Sequence, residues 1–150
     1  MITIKEMAEM LGISTTTVSN VINGKTSEVS QKTAEKVQKL LDEYDYVPNM
    51  NAKNLAQNHS KLIGIVLKRR KDKYENIFTD PFHGELLGAL ESAIREQGYY
   101  MMIYISEDIE EIVRNIVGWN TEGLILIGML HDDYLKIRSK YKKPAVLIDS

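Results

Sequence analysis

Two folds in tandem are predicted for this chain: a small all-α domain, then an α/β doubly wound parallel sheet. Three observations carry the expectation. Residues 3–24 hold two short helical patterns separated by a glycine. Residues 49–61, NMNAKNLAQNHSK, are polar and poor in core residues, as a linker would be. From Leu62 onward, four nearly continuous apolar runs alternate with helical patterns. That order is expected of buried parallel strands joined by crossover helices.

The first segment reads TIKEMAEMLGISTTTVSNVING. Thr3 can N-cap a helix beginning at Ile4, and Glu6 three residues on completes a T-x-x-E capping box. Ile2 and Met7 take the positions of a hydrophobic staple around that cap. Met7, Ala8 and Leu11 form the apolar stripe. Gly12 stands where a helix ends in a left-handed residue. Ser14 then caps a second helix, stapled by Ile13 and Val18, and Gly24 ends it. Val18, Val21 and Ile22 face inward, leaving Thr15, Thr16, Ser19 and Asn20 outside. Short hydrogen-bonding side chains at a helix N-terminus suit phosphates and base edges in a major groove. On this stretch alone, a helix-turn-helix reader of DNA and a plain pair of packed helices weigh about evenly.

A third helix is expected over residues 30–44, capped by Ser30, with Ala34, Val37, Leu41 and Tyr44 as its apolar face. Pro48 interrupts the chain. The linker allows one weak helical turn over 50–57, marginal by itself because short isolated helices rarely hold in water. Strands are expected at 62–67, 99–105, 123–127 and 145–148. Helices are expected at 82–97, with Leu86, Leu90, Ala93 and Ile94 on one face and Gly98 ending it, and at 108–118 and 132–141. The charged segment 68–80, KRRKDKYENIFTD, reads as a mobile loop at the carboxyl end of the first strand, where ligands of open α/β sheets bind.

Composition removes several function classes. The chain has 150 residues, 43% of them hydrophobic, and no cysteine, which excludes disulfides and thiolate metal sites. His59, His83 and His131 show no ligand spacing, so no metal is expected. No apolar run approaches the ~18–20 residues of a membrane span. Lys5, Glu6 and Glu9 within a helical pattern are wrong for a signal peptide, so a soluble cytoplasmic protein without a membrane partner is expected. No Ser/His/Asp order with an elbow motif and no arguable pair of carboxylates is present, so neither enzyme activity nor a cofactor is expected. Charge bears the other way: residues 1–60 hold six lysines, no arginine and seven acids, a net −1. Nucleic-acid modules are usually basic, so hydrogen bonds, helix N-termini and dimerisation must carry more of any binding.

With these three parts in order, the chain resembles the lactose/galactose-repressor family of bacterial transcription regulators along its whole length. The resemblance rests on residues 3–24, on EVSQKTAEKVQKLLDEYDYVPN, and on A-K-x-L at residues 52–55. IGIVL, DPFHGELLGALE, TEGLILIG and KPAVLID add to it. It implies a helix-turn-helix DNA-binding domain at 1–48, a hinge at 49–61, and the N-terminal part of a periplasmic-binding-protein-like effector core at 62–150. It further implies that Thr15, Thr16 and Asn20 read bases. Thr3, Ser14, Thr17, Ser19, Asn23, Tyr46 and Asn49 would touch phosphates, and Leu55 would wedge into the minor groove from a hinge helix that folds on the operator. An apolar side chain in a polar linker has no core to join, and minor-groove insertion would desolvate it. The implied partners are a double-stranded DNA operator, a second copy of the chain, and, in a complete core, a small-molecule effector, a sugar in preference to a purine.

Departures from the family pattern matter. Asn20 stands where arginine or histidine is common, and asparagine favours adenine. Lys53 replaces an arginine, and Asn51 an apolar hinge residue, which predicts a weaker hinge helix. Asp80, Pro81, Phe82 and His83 match the loop that closes over the effector, with His83 in place of a phenylalanine. The same residues also read as a helix start, with Asp80 as cap and Pro81 at its first position. The family core needs two subdomains with effector between them, so these 150 residues are expected to bind no effector tightly. His59 reads as a solvated linker residue, and His131 with Asp132 as a helix start. Gly84 and Gly88 suggest close helix approach, either to the sheet or at a dimer interface. KRRK at 68–71 reads as a solvated charge run. Two other functions stay open: a sugar-binding module without a DNA role, and an enzyme on a flavodoxin-like sheet, which the missing glycine loop after the first strand disfavours.

Overall fold

The computed structural model describes residues 1–70 and 76–148. Its contacts divide the chain into two compact units, Met1–Lys53 and Asn54–Ser150.

The first unit is helical. Helix α1, Ile4–Leu11, begins at Thr3 in extended backbone, with both halves of the capping box formed. It ends at Gly12 with φ 64°, the left-handed conformation glycine adopts without cost. Helix α2, Thr15–Ile22, is capped by Ser14 and followed by Gly24 at φ 74°. Helix α3, Gln31–Glu43, is capped by Ser30. Met7, Ala8, Val18, Val37 and Leu40 form the core of this unit, with Ile4, Leu11, Val21, Ile22, Leu41 and Tyr46 packed against it. Two expectations on α3 need correction. Leu40 belongs to the buried set, and Tyr44 is 46% exposed. Tyr44 is the C-terminal cap residue, already outside the helix and carried off its buried face.

Helix α4, Met50–Gln57, forms over the residues where one weak turn was expected, and it buries no residue. The second unit then lays down β1 (Leu62–Lys68), β2 (Tyr100–Ser106), β3 (Gly123–Ile127) and β4 (Ala145–Ile148). All pair in parallel, in the order β2-β1-β3-β4. Helices α5 (Pro81–Glu96), α6 (Ile109–Gly118) and α7 (His131–Lys140) make the crossovers.

Alternation along β1 assigns the two faces. Ile65 and Leu67 join Leu87 and Ile94 of α5 in one core. Val66 joins Ile112 and Ile116 of α6 and Ile137 of α7 in the other. Helices thus cover both faces of the sheet, the doubly wound arrangement. On α5 the buried leucine is Leu87, with Leu86 and Leu90 only partly covered and Ala93 exposed. Gly84 and Gly88 are exposed, and a methyl built on either would meet nothing within 4 Å beyond the helix's own backbone. This overturns close approach to the sheet as their purpose.

Segment 68–80 is only in part the expected loop. Lys68 closes β1, Ile77–Thr79 form a 3-10 turn, and Ile77 is buried. The remainder of that expectation, residues 71–75, lies outside the described residues. Lys68 is no solvated charge: its Nζ stands 2.7 Å from Asp133 Oδ2, and Asp133 is buried.

Candidate nucleic-acid interface

Geometry at the start of α2 follows from its cap. Ser14 Oγ accepts from the Thr17 N–H at 3.1 Å and lies 2.8 Å from Thr17 Oγ1. Ser14 and Thr17 therefore hold the first turn in shape, and any phosphate contact must use what hydrogen-bonding capacity the cap leaves. Thr15 and Thr16 are exposed and take no part in the cap. They project from a helix N-terminus, where the backbone dipole favours anions. Asn20, one turn on, is half-buried. Ser19 is half-buried too, and its Oγ accepts from Asn23 Nδ2 at 3.3 Å. Ser19 and Asn23 thus support one another along the helix.

The other expected phosphate residues are placed as follows. Thr3 Oγ1 accepts from the Glu6 N–H at 3.1 Å in the α1 cap, which leaves its hydroxyl proton to donate. Tyr46 packs its ring against the helical core. Asn49 has a further role that sequence reasoning missed. Its Oδ1 accepts from the N–H groups of Asn51 at 3.0 Å and Ala52 at 3.3 Å, so it caps α4. The signal was legible: an asparagine directly before a helical pattern. Leu55 is 84% exposed on α4, a large apolar side chain left mostly uncovered.

At the carboxyl end of the sheet, Asp80 caps α5 by accepting from the Phe82 N–H at 2.9 Å, with Pro81 in the first position. Phe82 is 51% exposed, and the His83 ring meets its edge at 5.6 Å. The His83 Nδ1 lies 3.4 Å from Asp80 Oδ2. This is a helix start with an aromatic ring presented to solvent. His131 and Asp132 open α7 as expected. His59 departs from the solvated reading: its Nδ1 stands 2.7 Å from Glu122 Oε1, although half its side chain is exposed. Among the described residues no cluster of three or more metal-binding side chains forms, and no helix is long and apolar enough to cross a membrane.

Residues 3–49 match the model for bacterial regulatory proteins, lacI family. The HTH-type transcriptional regulator MalR of Streptococcus pneumoniae is 31% identical over 138 residues, 89% of this chain and 41% of that protein. The HTH-type transcriptional repressor PurR of Vibrio vulnificus is 32% identical over 155 residues, covering 99% of this chain and 44% of that protein. A crystal structure of the lac repressor dimer, bound to operator and the anti-inducer ONPF, superposes with a TM-score of 0.80 at 27% identity. It covers 97% of this chain and 44% of that one. The chain thus spans less than half the length of the relatives it matches. The helical unit followed by a parallel sheet is shared with the lac repressor structure, and residues 3–49 of this chain carry the domain of the lacI family of bacterial regulatory proteins.

Proposed function

We propose that this chain is the DNA-reading part of a cytoplasmic, sequence-specific transcriptional repressor that binds a near-palindromic operator as a homodimer and has no catalytic activity. One observation carries the reading: Thr15 and Thr16 stand exposed at the N-terminus of α2 while the neighbouring hydroxyls do the capping. Side chains so placed can enter a major groove without disturbing the fold. In this reading residues 1–48 are the DNA-binding domain, 49–61 the hinge and 62–150 the N-terminal part of the effector core. Thr15, Thr16 and Asn20 read bases, Leu55 wedges the minor groove, and Thr3, Ser14, Thr17, Ser19, Asn23, Tyr46 and Asn49 meet phosphates. Exposed Gly84 and Gly88 suit contact between copies, since small residues permit close helix approach.

In a complete core, Phe82 and His83 would face the effector, a sugar in preference to a purine. Their place at the carboxyl end of the sheet, where open α/β sheets bind ligands, supports this. That same observation favours the second reading, a sugar-binding module with no DNA role. One experiment separates the two: selection of bound sequences from random duplex DNA. Recovery of a palindromic motif, bound in preference to its scrambled version, is expected. Failure to enrich any motif would leave the sugar-binding module.

A further inference from the structure

Helix α4 raises a question of stability. It has eight residues and buries none of them. A helix that short is marginal in water, so its ends must be held. Asn49 holds the first turn. At the far end Asn58 turns left-handed at φ 55°, the His59 N–H donates to Asn54 O at 2.9 Å, and Asn54 Nδ2 donates to Ser60 O at 3.1 Å. Lys61 then reverses the chain again at φ 59°. Asparagine adopts this conformation readily at a helix end, but lysine does not, so the backbone at Lys61 gains from outside support.

That support comes from one carboxylate. Glu122 Oε1 lies 2.7 Å from His59 Nδ1, and Oε2 accepts from the Lys61 N–H at 3.1 Å. The Glu122 N–H donates to Leu62 O at 2.8 Å. Three bonds from one residue therefore fasten residues 59–62. Glu122 directly precedes β3, which lies between β1 and β4 in the sheet. Its neighbour Thr121 is fully buried, and Thr121 O accepts from the Tyr141 hydroxyl at 2.9 Å. The clasp thus starts next to a fully buried, hydrogen-bonded residue of the second unit.

We propose that Glu122, acting with His59, is a positioning residue for the hinge helix: it fastens the exit of α4 to β3 and so sets how Leu55 is presented to DNA. The proposal rests on the DNA-binding reading for its consequence, but the clasp itself can be tested without DNA.

The experiment compares the full chain with Glu122→Gln, which removes the charge, and His59→Ala, which removes the ring. Amide hydrogen exchange is followed in α4, β1 and β3. Both variants should exchange the α4 amides faster, about tenfold, the worth of one hydrogen bond to a charged group. The β1 and β3 amides should keep their protection. Operator affinity should fall by a similar factor, and the loss should shrink when Leu55→Ala is already present. Unchanged α4 exchange in both variants would overturn the proposal, as would α4 amides already unprotected in the wild type. Equal loss of protection in β1 and β3 would also overturn it, by making Glu122 a brace of the sheet. If the wild type prefers no operator, the DNA-binding reading fails while the exchange data still judge the clasp.

Discussion

At the residue scale, side chains of the first unit divide between those that build it and those it displays. Ser14 and Thr17 build, while Thr15 and Thr16 are displayed. Thr16→Ala and Asn20→Ala should each weaken operator binding by ~1–3 kcal/mol while sparing non-specific binding. Parallel titrations with operator and scrambled duplex check this; equal losses on both would remove the two residues from base readout. Leu55→Ala should reduce DNA bending and specific affinity yet leave the melting temperature alone, because Leu55 is 84% exposed. A fall in melting comparable to a core deletion, ~2–5 kcal/mol, would show Leu55 to be packed. Local signals such as the caps at Thr3, Ser14 and Ser30 were legible in the sequence, since each rests on residues within four positions. The Glu122 clasp was not. His59 and Glu122 lie 63 residues apart and meet only once β3 lies beside β1, so His59 read as solvated.

At the element scale, strands and helices emerge close to where patterning puts them, and two of the misreadings concern which of two adjacent apolar residues points inward. Leu40 and Leu41, like Leu86 and Leu87, both fit a helical stripe by spacing. The packing partner decides between them, and the sequence does not show the partner. Helix α6 carries a polar network that ties it to β2. Glu111 accepts from Ser106 Oγ at 2.7 Å and Tyr104 OH at 2.8 Å, and Asn115 Nδ2 donates to the same Tyr104 oxygen at 2.8 Å. The Ser106 hydroxyl foremost, then that of Tyr104, holds the Glu111 carboxyl below its ordinary value. The folded chain therefore binds this proton more weakly than the unfolded chain does. Its stabilisation is complete above the usual carboxylate range and is lost as pH falls through the depressed value. Glu111→Gln should lower the denaturant midpoint at neutral pH and differ less from wild type in acid. Equal differences at both pH values would show that the charge contributes nothing there.

At the scale of the whole molecule, the chain carries a net charge of −2, and residues 1–60 carry −1. If residues 1–60 read DNA as proposed, their lysines bound the number of phosphates they can neutralise and hence the counterions released. With six lysines in residues 1–60 of each copy, the slope of log affinity against log salt should be no steeper than about −5 per protomer. Fluorescence anisotropy between low and moderate salt measures it. A much steeper slope would mean that cations beyond residue 60 also reach phosphates. The helical core and the two cores flanking the sheet share no residue. Each unit's architecture is accordingly specified by its own segment of sequence, which is why both were recognisable from one chain.

The bare leucine on α4 also has a thermal consequence. Apolar surface removed from water on binding leaves a negative heat-capacity change. If Leu55 is desolvated in the minor groove, the binding enthalpy becomes more favourable with rising temperature by an amount that includes this side chain. Operator recognition by this protein would then carry a calorimetric signature of its hinge, readable from the temperature dependence of the heat of binding and diminished in Leu55→Ala.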